Sequence, residues 1–271
     1  MTALLSLSGV TKHYGPVQAL RGVDLDIHEG DALAICGDNG AGKSTLIRLI
    51  SGAELPSGGA MRLRGEAVDF RSPQDALQKG VATIYQDLAL APRSEIYQNV
   101  FMGAERTRNL LPFVKVLDKK RMIAEARDYL SNLNPDMTDM RQRVENLSGG
   151  QRQAVAISRA LRWNAGLIIM DEPTASLSAS ETEKLFDTIA GLKKKGAAIL
   201  YISHRLEEGY RIADRLTVMR DGENVGVLNK DGITAPTVTR LMIGREIRRI
   251  SDHAEPVINK DVCLEVRGLS Y

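Results

Sequence analysis

GDNGAGKST, Gly37 to Thr45, lies between the apolar run ALAIC, Ala32 to Cys36, and LIRLI, Leu46 to Ile50. It matches the spacing G-x-x-x-x-G-K-[ST], and Leu46, Leu49 and Ile50 fall on one helix face. The stretch therefore predicts a buried strand, a glycine loop and a helix, in that order. Such a loop suits phosphate oxygens because Gly40 and Gly42, lacking Cβ, let backbone N–H groups approach closely. The helix that follows presents its anion-favouring end to the same place. Lys43 adds a point charge for terminal phosphates and Ser44 a hydroxyl for Mg²⁺.

Two further stretches carry chemistry. LIIMDEP, Leu167 to Pro173, reads as a buried strand ending in two acids, which places Asp171 and Glu172 at the carboxyl end where ligands of open α/β sheets gather. Asp171 suits the shell of Mg²⁺ and Glu172 suits a general base acting on water. Alone, an Asp-Glu pair is more often a solvated acidic turn; a phosphate loop in the same chain makes that the poorer account. LSGGQRQAVAISRAL, Leu147 to Leu161, begins with a cap-like Ser148 and two glycines, then turns helical with Ala154, Ile157 and Leu161 on one face. This is a second anion-ready helix start, and spacing leaves open whether it is an ordinary cap or serves another subunit's nucleotide.

The rest of the chain sets the context. Among 271 residues, 36 Lys and Arg oppose 34 Asp and Glu, so the net charge of +2 gives no sign of a broad nucleic-acid face. Apolar runs such as Leu167–Met170 fall far short of the ~20 residues that cross a bilayer. The first residues, MTALLSLSG, lack the pattern of a secretory leader, and Cys36 and Cys263 form no disulfide framework or metal spacing, which together point to a reducing, cytoplasmic location. Period-two alternation at Leu5 and Leu7, at Val23, Leu25 and Ile27, and at Met61 and Leu63 predicts antiparallel strands. The continuous runs ALAIC, LIIM and AAILYIS predict buried parallel strands. From about Leu88 to Asn146 strand signals vanish and the text turns helical and polar, as in an inserted helical subdomain (about 88–155), with RNLLPFVKV as its surface bend.

The combination of GDNGAGKST, LSGGQ and LIIMDEP resembles the nucleotide-binding domain of ABC transporters, over about Leu4 to Arg245. The resemblance implies a RecA-like P-loop NTPase core of α/β class, with an antiparallel β-subdomain and an inserted α-helical subdomain, spanning residues 1–247. It implies ATP held by Gly37, Asp38, Asn39, Gly40, Ala41, Gly42, Lys43, Ser44 and Thr45, with Mg²⁺ at Ser44, Asp171 and Gln86. It also implies a head-to-tail pair of domains in which Ser148, Gly149, Gly150 and Gln151 cover the ATP of the other domain. Tyr14 lies where the family stacks an aromatic on adenine, with a strand-end core tyrosine as the alternative. Gln86 in IYQDLAL resembles the glutamine that touches Mg²⁺ and senses the membrane subunit, and His204 after AAILYIS resembles the switch histidine that bonds the γ-phosphate. One departure stands out: most of the family has Asp where this chain has Ser178. Ser or Thr there, with FRSP, YISHR and MIGRE, resembles the ribose, galactose and arabinose importers, which commonly fuse two such domains.

The resulting expectation is an ATP-hydrolysing subunit of a sugar importer, peripheral on the cytoplasmic face of the inner membrane. Its partners would be transmembrane permease subunits, a second nucleotide-binding domain and a periplasmic sugar-binding protein, with no nucleic acid. A docking groove for the membrane subunit is expected between the Gln86 segment and the helical arm, around Leu88 to Phe101, with Leu90 and Ile96 in an exposed apolar patch. Rival readings are a soluble ABC ATPase working on ribosomes or DNA, which calls for a basic helix or coiled-coil insertion not evident here, and a non-hydrolysing ATP-binding module, kept open by Ser178. Finally, VCLEVRGLSY, Val262 to Tyr271, echoes the opening strand: Leu264, Val266, Gly268, Leu269 and Ser270 align with Leu5, Leu7, Gly9, Val10 and Thr11. With a charged, linker-like 248–261 before it, 262–271 is expected to be the first strand of a second domain.

Overall fold

The computed structural model describes residues 3–243, apart from 112, 132, 164 and 176. The predicted 248–261 linker and 262–271 strand lie outside the described residues. Strands β1 (Leu5–Tyr14) and β2 (Val17–Ile27) pair antiparallel, followed by β3 (Ala32–Cys36) and helix α1 (Lys43–Ile50). Then come β4 (Gly58–Leu63), β5 (Glu66–Ala67), α2 (Pro73–Gln78), β6 (Val81–Ile84) and α3 (Ile96–Phe101). A hairpin of β7 (Thr107–Leu111) and β8 (Val114–Leu117) precedes α4 (Lys119–Ser131) and α5 (Gly149–Arg162). The chain continues through β9 (Leu167–Asp171), α6 (Ala179–Lys194), β10 (Ala198–Ile202), α7 (Leu206–Ile212), β11 (Arg215–Arg220), β12 (Glu223–Asn229) and α8 (Ala235–Ile243).

Two sheets divide the work. The first is antiparallel, in order β2-β1-β4-β5. In β2, Val23, Leu25 and Ile27 are buried while Asp24 and Asp26 face solvent, the alternation of a sheet covered on one face. The second runs β12-β11-β3-β10-β9-β6, with β11, β3, β10, β9 and β6 parallel and β12 antiparallel at one edge. Its central strands β3 and β10 are buried at every position because both faces are covered, whereas the edge strand β12 is exposed or half-buried. Leu167 and Ile169 of β9 pack with Leu5, Ile27 and Leu46 on the β-layer side, whereas Ile168 and Met170 pack with Ile157, Leu185 and Ile189 of α5 and α6.

A third cluster joins α3, α4 and the first half of α5 through Val100, Phe101, Met122, Leu130 and Val155. It corrects two expectations. The stretch predicted to lack strands contains the β7–β8 hairpin, since the run read as a surface bend pairs across the chain, Asn109 with Lys115 and Leu111 with Val114. It is exposed and carries no core, which explains why its pattern looked neither helical nor buried: Leu110, Leu111, Phe113, Val114 and Leu117 all face solvent. Ile96 is 1 % exposed and packs inside with Tyr97, Val100 and Phe101, so it forms no surface patch.

Candidate active site

Because β3, β10, β9 and β6 are parallel, their carboxyl ends share one edge of the sheet, and each delivers at least one predicted group there. From β3 comes the phosphate loop. Gly40 has φ +84°, and a Cβ built on it would meet nothing within 4 Å, so the backbone is bare on the side a ligand approaches. Gly42, the residue before α1, has φ +100°; a Cβ there would lie 2.8 Å from Leu20 and 2.9 Å from the Ala19 carbonyl, so only glycine fits. Lys43 curls back over the loop, donating from Nζ to the carbonyls of Gly37 (2.5 Å) and Asp38 (2.9 Å). Its pKa is lowered by partial burial, an effect opposed by Glu172, Cys36, Asp38 and Asp171.

From β9 come both acids. Asp171 is the last residue of the strand, and burial, then neighbouring Glu172, raises its pKa, while Lys43 and Arg48 pull it down. A carboxyl group with that bias gains from an added cation. Glu172 turns sharply off the strand with φ +47°, a left-handed conformation costly for a residue that carries a Cβ, while its N–H still donates to the Ile202 carbonyl (2.9 Å). From β10 comes His204, more than half exposed, whose Nδ1 lies 3.3 Å from Glu172 Oε1. Gln86 follows β6, two residues beyond Ile84, whose partner in the register is Met170 of β9; it is exposed at the same sheet edge.

Of these groups Lys43 and Glu172 open into a cleft of about 500 Å³, lined also by Asn39, Ser44, Thr45 and Tyr14, whereas Asp171, His204 and Gln86 do not line it. Tyr14 is not a core residue. It is 40 % exposed, its hydroxyl donates to Glu54, and Lys12 Nζ lies 5.2 Å from its ring centre. The exposed Val17 lines the same wall and was not anticipated. Among the described residues no group of three or more His, Cys, Asp or Glu is placed to hold a metal alone. The Ser44 hydroxyl, the Asp171 carboxylate and the Gln86 amide oxygen are donors of the type that suits Mg²⁺, which would take the rest of its shell from phosphate oxygens.

The LSGGQ segment stands elsewhere. Ser148 caps α5, its Oγ accepting from the Gln151 N–H (3.3 Å) while the Gln151 side chain accepts from the Ser148 N–H (2.9 Å). None of Ser148, Gly149, Gly150 or Gln151 lines the cleft at Lys43. Ser178 likewise caps α6, accepting from the Glu181 N–H (3.3 Å). Asp and Ser are both good caps, so the exchange preserves the helix start and removes a charge.

One group escaped sequence reading. Glu208 in α7 is 7 % exposed and accepts from Thr174 Oγ1 (2.8 and 2.9 Å), Tyr201 Oη (2.8 Å) and Ser203 Oγ (2.7 Å). It ties the turn after Glu172 to the strand before His204. Arg159 of α5 does similar service beyond Gln86, donating to the carbonyls of Leu88 (2.9 Å) and Ala89 (3.0 Å).

A phosphate loop, a strand-end acid pair and a facing histidine on a parallel sheet, with an antiparallel layer and a helical arm, define an ATP-binding cassette. The chain belongs to the ABC transporter family, whose model matches residues 20–175, and it is an ATPase of the kind that drives such transporters. It is 42% identical over 251 residues to the xylose/arabinose import ATP-binding protein XylG of Sulfolobus acidocaldarius, covering 93% of this chain and 98% of that one. It is 43% identical over 270 residues to ribose import ATP-binding protein RbsA 3 of Rubrobacter xylanophilus, covering 100% of this chain and 53% of that one. The chain thus spans almost all of the first relative and about half the length of the ribose relatives it matches. Among solved structures, the ADP conformation of the cassette MJ1267 superposes with a TM-score of 0.77 at 28% identity, covering 90% of this chain and 100% of that one. A nucleotide-free cassette gives 0.76 at 26%, with the same coverage.

Proposed function

We propose that this cassette hydrolyses ATP with Mg²⁺ to power import of a simple sugar, at the cytoplasmic face of a membrane whose permease it serves. The observation that carries the mechanism is the meeting of Lys43, Asp171, Glu172 and His204 at one sheet edge. Lys43 exchanges its loop carbonyls for phosphate oxygens, and the loop N–H groups from Gly40 to Thr45 hold the rest of the chain of phosphates. Mg²⁺ would be held by Ser44 and Asp171 with Gln86 alongside, and when bound would supply neutralisation of the terminal phosphate charge. Glu172 orients water towards the γ-phosphate and takes its proton, and His204, 3.3 Å away, steadies that carboxylate and reaches the phosphate. Tyr14 and Val17 offer the apolar wall on which an adenine rests.

The sugar assignment is supported by the names of the relatives and by Ser178. Among the described residues no helix is long and apolar enough to cross a membrane. As in import systems generally, the partners are a permease and a substrate-binding protein, a reading supported by the relatives' names. The groove for the permease lies between α2, the end of β6 and α5, a cleft of about 350 Å³ lined by Pro73, Leu77, Tyr85, Met102 and Trp163. The second cassette, a fused half or another copy, brings Ser148, Gly149, Gly150 and Gln151 to the nucleotide. The test is growth on pentoses or hexoses and sugar uptake in cells lacking the gene, restored by the wild-type chain and not by Glu172→Gln. Restoration by Glu172→Gln would end the assignment.

A further inference from the structure

The start of α5 already holds an anion, and the chain itself supplies it. Oε1 of Glu181, in the first turn of α6, accepts from Ser148 Oγ (2.8 Å) and from the Gly150 N–H (3.0 Å). Its other oxygen accepts from the N–H (3.0 Å) and Oγ (2.9 Å) of Ser178. The fit is close: a Cβ on Gly150 would lie 2.7 Å from Glu181 Oε1. These donors, first the Ser178 N–H and then the Ser148 hydroxyl, hold the carboxyl down to about 2, so it is charged at neutral pH. A hydroxyl and a helix-start N–H converging on one oxygen form the same arrangement that a γ-phosphate would use.

We propose that Glu181 is a stand-in for the γ-phosphate at the LSGGQ loop, one that must swing onto Lys184 before the loop can close on nucleotide held by a second cassette. This rests on the reading that the loop serves a nucleotide in trans. Two anions cannot share the Ser148 hydroxyl and the Gly150 N–H, since like charges at hydrogen-bond range in a closed interface repel one another strongly. The carboxylate has somewhere to go. Lys184 lies one helical turn along α6, at the i+3 position, and lines the same cavity of about 160 Å³ as Ser148, Gly150 and Glu181. Its own partner, Asp136, is 3.7 Å away and 80 % exposed, an ion pair that is easily given up. Glu181 thus makes pairing conditional: an empty or ADP-bound partner offers no γ-phosphate to displace it, and ATP does.

The experiment uses the full chain with hydrolysis blocked by Glu172→Gln and follows pairing by sedimentation as Mg-ATP is titrated. Adding Glu181→Gln, which keeps the helix cap because Gln serves at that position as well as Glu, should lower the ATP concentration for half-pairing about tenfold by removing the competing charge. Adding Lys184→Met should raise it, because the displaced carboxylate loses its landing place. Binding of a fluorescent ADP analogue should stay the same in all three, since it reports the Lys43 cleft alone. An unchanged or raised midpoint in Glu181→Gln, with ADP binding intact, would overturn the proposal. If the blocked chain fails to pair at all, pairing that appears only on adding Glu181→Gln supports the proposal, and absence in both overturns it. The cassette reading fails separately, by loss of Lys43-dependent ADP binding.

Discussion

At the end of β9 the backbone of Glu172 crosses into a conformation that costs a non-glycine residue of order 1 kcal/mol or more, and it is held there by the hydrogen bond to Ile202. The return is direction: the carboxylate leaves the strand line and meets His204 over the phosphate loop. Replacing it with Gln keeps the shape and removes the base. Turnover should fall by about 10² to 10⁴-fold with ATP affinity kept, as phosphate release and equilibrium nucleotide titration would together show. Lys43→Ala acts on the other half of the reaction, removing a charge-assisted contact to phosphate, and should weaken ATP binding by roughly tenfold or more. Equal losses in binding for both variants would remove the distinction between base and anchor. These residues were legible in the sequence because strand, glycine loop and helix, or strand and acid pair, are local patterns. Tyr14 was not decidable in the same way, since only the sheet shows that it faces the cleft rather than the core.

Elements bring these residues into register, and here sequence reading thins out. Glu208 was missed because LEEGY looks like an exposed helix start; only packing shows that Thr174, Tyr201 and Ser203 donate to it from two other segments. Glu208→Ala leaves three buried hydroxyls without their acceptor and should cost about 2–4 kcal/mol in chemical unfolding. Glu208→Gln, which still accepts through one oxygen, should retain nucleotide affinity yet lose roughly tenfold in turnover, because Glu172 and His204 are then less firmly placed. The exposed hairpin escaped detection for the opposite reason: nothing packs on it to impose a readable period. Glu181 carries an acid signature as well. Its folded pKa of about 2 is below the usual carboxylate value, so its share of stability is whole above that value and is lost as acid is added towards about pH 2. The Tm of Glu181→Gln should therefore fall less steeply than that of the wild type between about pH 5 and pH 3; parallel curves would deny the carboxylate its four hydrogen bonds.

Within the whole molecule, the two anion sites do not serve one another. The cleft at Lys43 and the cavity at Ser148 share no lining residue, and the LSGGQ helix starts over α6 rather than over the phosphate loop. On the proposed reading, a single cassette offers ATP one wall of a site and a second cassette brings the other. The sequence showed both loops and left their relation open, because spacing along a chain carries no information about a contact between chains. If pairing is needed for turnover, the active species at low concentration is the rare pair, and its share of the protein grows with the total amount present. ATPase activity per mole of chain should then rise in proportion to concentration when dilute, and level off once pairing is complete. Chelating Mg²⁺ should abolish activity at every concentration, because phosphate charge is then no longer neutralised beside Asp171. Adding excess Lys43→Ala chain should inhibit dilute wild type if a productive pair needs two bound nucleotides, and stimulate it if one suffices, since that variant still brings an intact Ser148 loop. Activity per mole that stays level across a hundredfold dilution would mean that one cassette turns over ATP alone, and that the LSGGQ loop is a helix cap and nothing more.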